Sequence, residues 1–130
     1  MNESAGNTDA ARIRKFRQAA FAYLHVALLY EFTVFVLWRR DLLPEGRGAG
    51  PVWLLVGGAI TAFIFWGLWS KRSHWLARIV WALHALRLPA IIDGAFFAPA
   101  ETALPPALWR FALLVVVVNL WLLARAAWDL

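Results

Sequence analysis

Residues 52–69 read VWLLVGGAITAFIFWGLW, eighteen consecutive residues without a charge. At 1.5 Å per residue such a run makes a helix about 27 Å long, close to the roughly 30 Å hydrocarbon core of a bilayer. Three further runs of similar length and character surround it: Ala19 to Trp38, Trp75 to Phe97 and Ala107 to Trp128. The expectation is an all-α, polytopic integral membrane protein. Residues 1–18 form a polar N-terminal segment with a basic helical lead-in, and residues 19–128 form one bundle of four transmembrane helices.

Composition supports this reading. The chain has 130 residues, 62% hydrophobic, and a mean hydropathy of +0.61. A soluble domain this short buries too small a fraction of its surface to hide so much apolar area. The nine Trp and nine Phe agree, because Trp gathers at bilayer interfaces. The absence of cysteine excludes disulfides, thiolate metal sites and cysteine nucleophiles. The net charge of +5 comes from residues beside the apolar runs. The expected surroundings are therefore the lipid bilayer and other membrane subunits or further copies of the chain, not nucleic acid.

Between the runs the composition changes. Residues 1–9 are polar and expected to be disordered, with Thr8 or Asp9 able to cap a helix through a side-chain oxygen. Ala10 to Gln18 carries Arg12, Arg14, Lys15 and Arg17. It is no cleavable signal peptide, since the following run is too long and lacks a small-residue cleavage site. Leu42 to Pro51 and Ala98 to Pro106 are Pro-containing loops. Ser70 to His74 is a tight turn, which predicts that runs two and three pack as an antiparallel hairpin. Gly58 and Ala62, four apart, offer a face for close helix approach. With four spans, one side holds Arg12, Arg14, Lys15, Arg17, Lys71, Arg72, Arg78 and Arg125; the other holds Arg39, Arg40, Arg47 and Arg110. Eight against four puts both termini in the cytoplasm of a cell membrane, of bacterial inner-membrane type.

The third run contains the stretch richest in chemistry, residues 81–93, with His84, Arg87, Pro89 and Asp93. Ionisable groups in hydrocarbon need partners at their own depth. Counting 1.5 Å per residue from the run boundaries puts Glu31 and Arg87 about 18 Å in and Thr61 about 16–17 Å in. The same count puts His25 at about 9 Å, His84 at about 13–14 Å and Asn119 at about 10–11 Å. Two polar layers follow: Glu31, Arg87 and Thr61 in one; His25, His84 and Asn119 in the other. A buried Glu31–Arg87 ion pair is predicted, since Arg grips a carboxylate through two parallel bonds. It would serve either as a clasp between runs one and three or as a gate or ion site. Pro89 removes a backbone hydrogen bond and is expected to kink run three. Tyr23 and Tyr30, seven apart, share a face, as ordinary packing or as cavity lining.

No catalytic set stands out. Zinc catalysis needs three protein ligands around an open position, and no such spacing exists, so no metal site or resident cofactor is expected. The leading expectation is a non-enzymatic accessory, assembly or interaction subunit held together by the polar seam. A small oligomeric transporter or channel using Glu31 and Arg87 is the alternative. In having four spans and a membrane-embedded glutamate, Glu31, in the first, the chain resembles the small multidrug-resistance transporters. It departs from their pattern in Arg87, which would neutralise the glutamate, and in its one-sided Lys and Arg. A haem-binding anchor using His25 and His84 is the remaining alternative.

Overall fold

The computed structural model describes residues 2–43, 48–97 and 105–130, with backbone alone for residues 2–8. The described chain forms four long helices: α1 (Asn2–Arg39), α2 (Ala49–Trp66), α3 (His74–Ile92) and α4 (Pro106–Trp128). A π-helical turn, Gly67–Lys71, closes α2, and a second, Asp93–Phe97, extends α3. All four helices are long and apolar enough to cross a membrane, α2 and α3 with their π-helical turns included. Parts of both expected long loops, residues 44–47 and 98–104, lie outside the described residues.

The first helix departs from expectation. It begins at Asn2 and runs without a break to Arg39, so neither Thr8 nor Asp9 caps it and residues 2–9 are helical. No proline interrupts this stretch, and adding a turn to an existing helix requires no new nucleus. Pro89 is likewise carried inside α3, which continues to Ile92. The widened turn comes only after it, at Asp93–Phe97.

Contacts among basic and terminal residues gather one end of the bundle, called here the basal end. Arg12 Nη2 lies 3.1 Å from His74 Nδ1. Arg78 Nε donates to the Ala127 carbonyl at 3.2 Å, and Arg125 Nη1 donates to Gln18 Oε1 at 3.3 Å. His74 Nε2 lies 3.4 Å from Asp129 Oδ2. Ser73, the N-cap of α3, accepts from the Leu76 amide at 3.2 Å. Just above sits the main core, with Phe16, Ala19, Ala20 and Tyr23 of α1, Leu68 of the π turn, Ala77 and Val80 of α3, and Leu123, Ala126 and Ala127 of α4. A smaller cluster of Val26, Ile91 and Val116 lies toward the far end, where no residue of α2 joins it.

The helices are ordered α2, α1, α4, α3, each packed mainly on its neighbours in that series. The expected hairpin of runs two and three is therefore corrected: α2 packs on α1, and only the π turn reaches α3. The connection explains this. Lys71 ends the wide turn, Arg72 takes a left-handed conformation at φ 49°, and Ser73 is extended. That path carries the chain away from α2 before α3 rises.

The small residues of α2 are used differently from expectation too. A Cβ at Gly58 would meet nothing within 4 Å, and Gly58 and Ala62 are exposed. The close approaches fall at Gly50, covered by the Trp38 ring, and at Gly57, covered by the Glu31 carboxylate. Gly50 and Gly57 are seven apart and so share a face. Gly50→Ala should lower stability by about 1–3 kcal/mol, the usual penalty for overpacking a rigid contact, whereas Gly58→Ala should not lower it and should raise it by up to about 1 kcal/mol through helix propensity. Thermal unfolding of both variants in one mild detergent checks the contrast.

Candidate functional site

The polar residues of the central third do meet, but in pairings that depth alone did not supply. His84 and Asn119 are both buried. Asn119 Nδ2 donates to His84 Nδ1, which leaves the neutral imidazole's proton on Nε2. Tyr23 stacks on the same imidazole, with ring centroids 5.7 Å apart and planes 13° from parallel. Its hydroxyl meets the Thr61 side chain, and Thr61 Oγ1 also donates to the Gly57 carbonyl at 2.7 Å. One chain of polar contacts therefore runs from α4 through α3 and α1 to α2.

His25 is not part of it. The ring is exposed, and its Nδ1 lies 2.7 Å from the Phe21 carbonyl of its own helix. Two residues separate His25 from Tyr23, a turn of about 200° around the helix. The two imidazoles thus point away from each other, and the geometry offers no pair of facing axial ligands for a haem. Among the described residues no group of three or more His, Asp or Glu gathers as a metal would require.

The predicted Glu31–Arg87 ion pair does not form. Among the described residues no ion pair joins these two. The Glu31 carboxylate is turned toward α2 and rests on Gly57. The Arg87 guanidinium lies over the Tyr30 ring, 4.9 Å from its centroid, a cation–π contact. The reason is azimuth. Glu31 and Tyr30 are consecutive, about 100° apart around α1, so only one of them can face α3. Tyr23 and Tyr30 both do, opposite His84 and Arg87. The tyrosines are the partners that the sequence reading undervalued; their spacing of seven, against the spacing of three between His84 and Arg87, was the available signal.

Above the His84 layer the bundle opens into a half-open cavity. A cavity of about 580 Å³ lies between α1, α3 and α4, within the range of small-molecule sites. Val26, Tyr30 and Thr33 line it from α1, His84 and Arg87 from α3, and Trp109 and Val116 from α4. Trp53 of α2 and Leu43 contribute at the far end. The Trp109 indole packs on Gly94, and its N–H is buried without an acceptor. Arg110 Nε donates to the Ala95 carbonyl at 3.2 Å, which ties α4 to the π turn beside the cavity.

Comparison with protein-family models, with curated proteins and with solved structures finds no match to this chain.

Two double-mutant cycles test the pairings. His84→Phe and Asn119→Leu should couple, because either single change strands a buried polar partner at about 1–3 kcal/mol. Glu31→Gln and Arg87→Leu should add within about 0.5 kcal/mol, as changes at residues that share no contact do. Unfolding midpoints in detergent give both numbers.

Proposed function

We propose that this chain is a non-enzymatic integral membrane protein of four spans, an accessory or interaction subunit whose partner is another membrane helix. The single observation that carries this reading is the outlying position of α2. Only 11% of its apolar window is buried, against 28% for α1 and for α3. It rests on α1 by one face and leaves Gly58 and Ala62 bare on another. In lipid, helices associate through close packing of small residues rather than through the hydrophobic effect, and this pair is free to receive a second helix. The polar side chains support a non-catalytic role. His84 is bonded to Asn119, and Arg87 lies over Tyr30; no nucleophile stands beside a base among them.

The orientation that fits best has the basal end, with both termini, in the cytoplasm, as the excess of Lys and Arg there favours. The membrane would be a cell membrane of the bacterial inner type. The alternative of a small oligomeric transporter draws support from the cavity, which reaches Arg87, about two-thirds of the way along α3.

Cysteine is absent, so a single introduced thiol reports association directly. Ala62→Cys alkylated with a photoreactive benzophenone maleimide should give, on illumination of native membranes, a crosslinked adduct with a second copy or with a distinct subunit. Adding Gly58→Leu should abolish the adduct while leaving the folded chain intact, because among the described residues nothing lies within 4 Å of a Cβ added there. An adduct that survives Gly58→Leu removes this face as the association surface.

A further inference from the structure

We propose that the far-end cavity is a binding site for a hydrophobic anion, a molecule with an apolar body and one small carboxylate-type group held by Arg87. The proposal uses the α1–α3–α4 side of the bundle and is independent of the partner helix assigned to α2.

The first ground is charge. Arg87 is the one charged side chain among the described residues lining the cavity. Among the described residues no acidic side chain lines it: Glu31 is turned to Gly57, and Asp93 lies outside the lining. Arg87 is an exposed residue that lines the cavity, and among the described residues its aromatic or ionic partner is the face of Tyr30. Arg87 stands thirteen residues beyond His74 in a span that runs to Phe97. It is therefore about 20 Å from one end of that span and about 15 Å from the other. A guanidinium at that height in a bilayer calls for an anion or for water.

The second ground is the balance of donors and acceptors. Arg87 presents five N–H groups and Tyr30 a hydroxyl. His84 Nδ1 is already engaged by Asn119, and Thr33 Oγ1 is bonded to the Leu29 carbonyl. The cavity offers donors to an incoming group and few acceptors, as suits carboxylate oxygens.

The third ground is the order of polarity along the cavity. Arg87 and His84 form its deep end. From there to the far end the walls are apolar, with Val34, Leu37, Leu43, Leu108 and Trp53. A phospholipid has the opposite arrangement, with a large head held at the membrane surface and its chains beneath. A simple acid can carry a small head past apolar walls and leave its body behind, along the roughly 16 Å that separate the levels of Val26 and Leu37 on α1.

The test uses the full chain in phosphatidylcholine nanodiscs, with brominated dodecanoate as the probe. Trp53 and Trp109 line the cavity, so bromine in it quenches their fluorescence. Saturable quenching is expected. Arg87→Leu should weaken binding at least about tenfold, and Arg87→Lys should restore part of it. Ala112→Phe should block binding by filling the cavity with Arg87 still in place. The brominated methyl ester and brominated phosphatidylglycerol should quench only in proportion to their bulk concentration. Equal binding of acid and ester overturns the proposal, as does binding unaffected by Arg87→Leu, or phosphatidylglycerol competing as well as the acid. Should Arg87→Leu fail to give a monodisperse particle, Arg87→Lys and Ala112→Phe decide the question.

Discussion

The Asn119–His84 hydrogen bond, with Tyr23 stacked on the imidazole, is the contact on which the arrangement of the helices depends. The backbones of α1 and α3 do not pack closely; α4 lies between them as the common neighbour. Asn119 of α4 holds His84 of α3, and Tyr23 of α1 covers the far side of the ring. Below this level the interior is filled by Phe16, Leu68, Leu123 and several alanines. Above it the same three helices flank a half-open cavity. The polar contact thus marks the boundary between a filled half of the bundle and a half that opens outward.

That boundary also accounts for the asymmetry of the small residues. Ala19, Ala20, Ala77, Ala126 and Ala127 are all fully buried at the basal end, where they let helices approach. Toward the far end the neighbours are Tyr30, Arg87 and Trp109, whose length keeps backbones apart. Bulk and polarity therefore act together: the side chains that bridge the gap between α1 and α3 are the ones that hold it open.

How much of this was legible in the sequence depended on which coordinate was asked for. The number of long apolar helices follows from the apolar runs, and the structure has four of them. Height along a helix follows from counting, and it correctly put His84 near Asn119. Azimuth is harder. A difference of one residue, Tyr30 against Glu31, turns a side chain by about 100°, and the count of rise alone let Glu31 compete for Arg87. The neighbour relations of α2 were hidden for another reason. They depend on the wide turn at Gly67–Lys71 and the left-handed Arg72, and a short loop by itself reads as an ordinary hairpin. The helical start at Asn2 is not legible in composition, because Ser4, Gly6, Asn7, Thr8 and Asp9 are all weak helix formers.

The polar residues of α3 bear on how the chain is made. Its apolar window has a mean hydropathy of 1.4, against 2.1 for α4, and an arginine near the middle of a helix costs about 2.5–3.5 kcal/mol during insertion. In the membrane-spanning chain proposed above, α3 left to itself would partition least readily out of the translocation machinery. Its main packing partner, α4, is synthesised after it. The two helices would then have reason to leave for lipid together, as a pair already joined by His84 and Asn119. In that sense one hydrogen bond links the end of biosynthesis to the finished bundle.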